Sequence, residues 1–121
     1  MLNQIKILII LVVIFLNIGC SENKFTDIPD CERIKDESKR DNCFAGLVQN
    51  TTPNNTKLNI DVCSRIVDTE IRDLCFFKVA KDGWRFMSYD TLDELCNSIS
   101  NEPLKNSCHD IEHRPHLQKF R

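Results

Sequence analysis

Hydrophobic residues are distributed in two different ways along the chain. Residues 7–16 form an uninterrupted apolar run, whereas beyond residue 30 apolar residues recur every three or four positions among polar ones. That spacing places apolar side chains on one face of an α-helix, and no segment has the alternation of a half-buried strand. The pattern predicts an all-α domain, and its apolar positions fall in three groups: Cys43, Leu47 and Val48; Ile71, Leu74, Cys75 and Val79; Leu104, Cys108 and Ile111.

The cysteines after residue 30 form three equally spaced pairs. The residues between and including them also align, as CERIKDESKRDNC, CSRIVDTEIRDLC and CNSISNEPLKNSC. Each segment has Ile three residues after its first cysteine and Asp or Asn five residues after it. The alignment predicts an internal repeat of three copies, at about residues 31–48, 63–80 and 96–113, within a domain of residues 30–121.

Each copy is predicted to be a pair of short helices. The first cysteine and the isoleucine mark the inward side of the first helix, and the Asp or Asn is a natural N-cap for the second helix. These N-cap residues are Asp36, Asp68 and Asn101. Arg40–Asp41 and Arg72–Asp73 precede the second cysteine, and a structural role is expected: Arg covers the helix pair, and Asp pairs with a neighbouring basic side chain.

Disulfides are expected to hold each helix pair together. Six cysteines permit several pairings, and the repeat favours a bond within each copy. Such a bond contributes about 3 kcal/mol and clamps helices that are too short to be stable alone in water. Metal binding by these cysteines is disfavoured because the chain has no close CxxC pairs. The expected bonds are Cys31–Cys43, Cys63–Cys75 and Cys96–Cys108.

The apolar run at residues 7–16 is typical of a secretory signal peptide and too short to cross a bilayer as a helix. Gly19 and Cys20 follow it, so this stretch resembles the lipobox of bacterial lipoproteins. Asn17 stands where that motif usually has Leu, which here lies one position earlier. The resemblance implies removal of residues 1–19, acylation of Cys20 by diacylglyceryl and palmitate-type chains, and a tether over residues 20–29.

Lipidation of Cys20 would account for the odd number of cysteines, seven in all. Export would also supply the oxidising compartment that disulfides need. In lipoprotein sorting of the enterobacterial type, Asp after the cysteine retains a protein at the inner membrane. Ser21 therefore implies the outer membrane, if the cell has one. The alternative is an ordinary signal peptide or an uncleaved anchor, with Cys20 incidental.

The repeat carries a second resemblance. Its pattern, Cys-x-x-Ile-x-Asp followed by Arg-Asp-x-Cys, is similar to repeats in uncharacterised secreted or anchored microbial proteins. The match covers residues 31–48 and 63–80 well and residues 96–111 loosely. This resemblance implies export and no particular activity.

Charge and motifs argue against several functional classes. Beyond residue 19, fifteen Lys and Arg are interspersed with eighteen Asp and Glu, so there is no basic surface for nucleic acid. No G-x-S-x-G motif or phosphate-binding glycine loop occurs, so neither an enzyme nor a cofactor is expected. His109, His113 and His116 have a helical spacing that suits zinc, but Pro115 interrupts that helix, and no metal site is expected.

Aromatic residues concentrate between positions 76 and 89. Some are expected to fill the seam between the second and third copies, but Trp, Tyr and Arg are also enriched at protein-binding hot spots. The expected function is a membrane-anchored, non-catalytic interaction or structural module that binds an envelope protein. The alternative is an inhibitor or immunity-type lipoprotein that blocks an enzyme or toxin. The candidate partner-binding residues are Phe77, Trp84, Arg85, Phe86 and Tyr89.

Overall fold

Helices account for all the regular structure of residues 27–112, the part of the chain that the computed structural model describes. The expected all-α class is confirmed for these residues, which contain no strand. The predicted signal peptide and Cys20 lie outside them, as does most of the tether. The α-helices are α1 (Ile28–Glu32), α2 (Glu37–Asn50), α3 (Thr56–Ser64), α4 (Thr69–Gly83), α5 (Tyr89–Asn97) and α6 (Glu102–Glu112), and a 3₁₀ helix spans Trp84–Phe86.

Side-chain caps set the starts of four helices. In each case the side-chain oxygen accepts a hydrogen bond from a backbone N–H of the first turn, which has no partner within the helix. The expected caps of α2, α4 and α6 are all present. The bonds run from Lys39 N to Asp36 (2.9 Å), Ile71 N to Asp68 (2.9 Å) and Leu104 N to Asn101 (3.0 Å), and Ser88 caps α5 through Thr91 N (3.2 Å).

The first helix of each pair ends just after its cysteine. Helices α1, α3 and α5 stop at Glu32, Ser64 and Asn97. The isoleucine that follows therefore lies in the connecting turn. The sequence pattern had predicted that it lies on the helix. The expected inward direction is confirmed for Ile66 and Ile99, which are 1% and 0% exposed, whereas Ile34 is only partly buried. These turns are short, so the two helices of a pair pack side by side.

One disulfide links the two helices of each pair. The cysteines join as Cys31–Cys43, Cys63–Cys75 and Cys96–Cys108, the pairing that the equal spacing favours. Their Cα atoms lie 5.5–5.6 Å apart, within the usual range for a disulfide. We refer to α1–α2, α3–α4 and α5–α6 as helix pairs one, two and three.

The helix pairs share a single core. Helix α4 packs against α2 and α6 as well as against α3 and α5, so it contacts helices of all three pairs. One predicted core residue is misplaced: Leu74 is 55% exposed, although its neighbour Cys75 is buried. No helix within residues 27–112 is both long and apolar enough to span a membrane. The largest apolar side chains of the core are Phe44, Val62, Ile66, Phe76, Val79, Leu92, Leu95 and Ile99.

Candidate functional site

The predicted aromatic segment lies where helix pair two passes into helix pair three. Phe77 is on α4, the 3₁₀ helix Trp84–Phe86 follows directly, and Tyr89 begins α5. Phe77 and Trp84 are partly buried against the core, as expected of residues that fill a seam. Phe86 and Tyr89 are 58% and 61% exposed. The structure thus divides the segment into two residues that anchor it and two that face solvent.

Arg85 lies beside the anchoring residues. Its guanidinium carbon is 5.2 Å from the centroid of the Trp84 ring, a distance typical of a cation–π interaction. Because Trp84 is partly buried, this contact holds the exposed Arg85 against the domain. A cation, an indole and two exposed aromatic rings therefore occur within six consecutive residues.

Close packing at Gly83 fixes the position of the 3₁₀ helix. A methyl group at this residue would lie 3.0 Å from the carbonyl oxygen of Pro53 and 3.0 Å from a methyl carbon of Thr56. The loop before α3 thus packs directly on the end of α4, with space for a hydrogen only. Asn59, which is 4% exposed, orders the same loop by accepting from the Thr51 hydroxyl and donating to the Thr52 carbonyl.

Two buried carboxylates connect consecutive helix pairs. Asp41 on α2 is 1% exposed, and it accepts hydrogen bonds from the backbone N–H groups of Val67 (3.1 Å) and Asp68 (2.8 Å). Asp73 on α4 is 2% exposed, and it accepts from Ser100 N (3.1 Å) and Asn101 N (2.9 Å). In both cases the donors are the N-cap residue of the next pair's second helix and the residue before it.

The expected roles of the Arg–Asp sequences are therefore partly wrong. Asp41 and Asp73 bond backbone amides of the next helix pair rather than a basic side chain. Arg40 does cover its own pair, since its guanidinium donates to the Ile34 carbonyl (3.4 Å) and lies 3.7 Å from Glu37. In helix pair three the corresponding residue is Asn106, which is exposed.

An open groove of about 540 Å³ lies between the N-terminal halves of α4 and α6. Exposed Leu74 and half-buried Leu104 are its apolar residues, and the buried Asp73 also lines it. The sequence pattern does not indicate this groove, because the helical spacing of apolar residues places Leu74 in the core. The remaining lining residues are Thr69, Glu70, Ser100 and Asn101.

Only one of the three histidines lies in the described part of the chain. The Nδ1 atom of His109 is 3.6 Å from an Asp93 carboxylate oxygen, and its side chain is 27% exposed. His113 and His116 fall outside the described residues. Between residues 27 and 112, no group of three or more His, Cys, Asp or Glu side chains is placed to hold a metal ion.

No protein-family model matches the chain, and neither a curated protein nor a solved structure is significantly similar to it.

Proposed function

We propose that the protein is an exported lipoprotein, anchored through acyl chains on Cys20, whose helical domain is a non-catalytic protein-binding module at the cell envelope. In this proposal the three helix pairs are copies of one internal repeat. The tether is the segment predicted over residues 20–29, less the residues that α1 takes from Ile28 onward. It is short enough to keep the domain within about 30 Å of the membrane.

Cysteine use supports export. Six of the seven cysteines are joined in three disulfides, and the remaining one is Cys20. Disulfides persist in oxidising compartments and are rare in the cytosol. Cys20, the one cysteine outside the disulfides, follows a lipobox-like sequence, so its thiol is available to carry lipid.

Equivalent bonds at equivalent positions support the repeat. Asp41 and Asp73, each ten residues after the first cysteine of a pair, bond the same two backbone positions of the next pair. Each pair also has its disulfide and its second-helix N-cap in register. Stacked units of this kind bury a continuous core that a single unit lacks.

The exposed aromatic residues carry the protein-binding part of the proposal. Phe86 and Tyr89 are more than half exposed, beside an Arg85 that is held against Trp84. Disulfides and buried carboxylates fix the helices on either side of this segment. A surface that is already ordered loses little conformational freedom on binding, which favours affinity. In this proposal the anchor holds the surface close to the membrane, where it binds a partner protein.

The anchor is tested by the intact mass of the full chain, expressed in a bacterium that processes lipoproteins. We expect a mature chain that begins at Cys20, carries acyl mass, and fractionates with membranes. The Cys20→Ala variant is expected to lose both the acyl mass and the membrane association. A wild-type chain without lipid would refute the anchor and leave the disulfide-linked domain unaffected.

The binding surface is tested by a photoreactive amino acid at Phe86 in the anchored full chain. Exposed Glu94, on α5, is the matched control position. We expect a discrete adduct with an envelope protein from Phe86, lost on Tyr89→Ala and not formed from Glu94. The same adducts from both positions would show that the aromatic segment is not a specific surface.

A further inference from the structure

The groove between α4 and α6 contains an apolar residue that the fold does not require. Leu74 is the eleventh residue after the first cysteine of its pair, and the corresponding residues are Asn42 and Ser107. Both are exposed, and both helix pairs form with a polar side chain there. Leu74 is itself 55% exposed, so packing within the helix pair does not account for it.

Val67 shows the same difference. It is 52% exposed in the turn before α4, and the corresponding residues are Lys35 and Ser100. Helix pair two thus has an exposed aliphatic side chain at two positions where the other two pairs have polar ones. In the groove, Leu74 is joined by Leu104, so the apolar surface continues from α4 to α6.

The polar groups of the groove do not suit a small polar ligand. Such sites usually present a few convergent polar groups that orient the ligand. Here the buried carboxylate of Asp73 already accepts from Ser100 N and Asn101 N. The available surface is aliphatic with hydroxyl and carboxylate groups around it, as in grooves that receive an amphipathic helix.

The charges at the groove indicate that a bound segment should be positively charged. Glu70 lines the groove, is exposed, and forms no ion pair with any residue between 27 and 112. Beyond residue 19 the chain has fifteen Lys and Arg against eighteen Asp and Glu, a net charge of −3. A second copy of this domain would be repelled, whereas a basic segment would be attracted.

We propose that this groove binds an amphipathic helix of another protein, which inserts aliphatic side chains between Leu74 and Leu104 and places Lys or Arg near Glu70. The inference rests on the proposed protein-binding role and adds a second surface to it. It depends on neither the aromatic segment nor the lipid anchor.

The probe is a synthetic peptide of about fourteen residues, made of Leu, Lys and Ala with its leucines on one helical face. Its binding to the full chain is measured by fluorescence anisotropy in a non-ionic detergent. A photoreactive leucine analogue in the peptide then locates the contact by mass spectrometry. We expect cross-links to residues 69–74 and 100–104. Two control peptides, one with the leucines dispersed around the helix and one with Glu in place of Lys, are expected to bind at least about tenfold more weakly.

Each variant introduces a residue that already occurs at the corresponding position of another helix pair. Leu74→Asn and Leu74→Ser place there the residues of pairs one and three, so the fold is expected to be retained. Either change is expected to weaken peptide binding by about tenfold. Leu58→Asn, at an exposed leucine on α3, is the matched control and is expected to leave binding unchanged.

Several results would overturn the groove proposal. Equal binding of all three peptides, or equal effects of the Leu58 and Leu74 variants, would mean that the contact is non-specific. Cross-links confined to residues 84–89 would move the site to the aromatic segment and leave the proposed function standing. Sedimentation that shows a dimer lost on Leu74→Ser would make a second copy of this chain the occupant.

Discussion

At the scale of single residues, Asp41 and Asp73 each link one helix pair to the next through backbone hydrogen bonds. A buried carboxylate is costly unless several donors replace water, and bonds to an ionised group are stronger than neutral ones. Both aspartates find two backbone N–H groups at the start of a helix, where the helix dipole also favours negative charge. Each carboxylate therefore stabilises a helix that belongs to the next pair.

Asp41→Asn and Asp73→Asn are each expected to lower the free energy of unfolding by about 2–3 kcal/mol, because Asn is neutral and turns an NH₂ group toward a backbone donor. The measurement is urea unfolding with the disulfides intact. Asn106→Asp is the matched control. It lies at the corresponding position of pair three, is exposed, and should change stability by less than about 0.5 kcal/mol. Equal effects at positions 73 and 106 would contradict a linking role.

The glycines offer a second matched comparison. A methyl group at Gly83 would contact the Pro53 carbonyl and Thr56, whereas one at Gly46 on α2 would have no atom within 4 Å. Gly83→Ala is expected to cost about 1–3 kcal/mol from overpacking. Gly46→Ala is expected to stabilise the protein by about 0.5–1 kcal/mol, since Gly is unfavourable inside a helix. Thermal unfolding measures both, and a stabilising Gly83→Ala would contradict the close packing.

At the scale of the elements, the sequence predicts what local chemistry determines. The N-caps Asp36, Asp68 and Asn101 act through the first turn of their own helix, so a short window of residues is enough to identify them. The disulfides also follow from local spacing, because two cysteines at the facing sides of one helix pair are close whatever surrounds the pair. The all-α class follows from periodicity over each helix.

The sequence did not predict features that depend on the neighbouring helix pair. The partners of Asp73 are backbone amides 27 and 28 residues further along, and a backbone amide has no sequence signature. Leu74 continues the apolar spacing of α4, and only the position of α6 shows that it faces a groove. A signal for the aspartates was nevertheless present: the third segment has Asn106 where the first two have Asp.

The three disulfides differ in their accessibility. Cys43 is only partly buried, whereas Cys75 is 6% exposed and both Cys96 and Cys108 are 0% exposed. A thiolate reductant must reach a sulfur atom, so Cys31–Cys43 is expected to be reduced first. Brief treatment with a dilute thiol, alkylation and peptide mass spectrometry test this order. Loss of Cys96–Cys108 before Cys31–Cys43 would contradict it.

At the scale of the whole molecule, the helix pairs form a linear series. The helices that pack closely belong to one pair or to two consecutive pairs. Pair three also lacks two features of the others. Asn106 replaces the linking aspartate, and His109 stands where Phe44 and Phe76 are buried. Asn106 is exposed and His109 is partly buried, whereas the corresponding residues of pairs one and two are buried.

Because the helix pairs form a linear series, local unfolding of the domain is expected to be confined to the pair whose link is lost. Stability in stacked units is approximately a sum of unit and nearest-neighbour contributions, so the loss of one link should act locally. In Asp73→Asn, only one side-chain oxygen remains to accept from the Ser100 and Asn101 amides, and hydrogen exchange is expected to increase most in α5 and α6. In Asp41→Asn, the increase should fall instead on the Val67 and Asp68 amides and on the helices that they adjoin.

Mass-spectrometric hydrogen exchange on the two variants, at equal temperature and pH, measures this difference with each protein serving as the control for the other. Equal acceleration over all six helices in both variants would mean that the domain opens only as a whole. The buried aspartates would then contribute to one cooperative core and would not act as separate links. Distinct regional patterns would show that each carboxylate holds one junction.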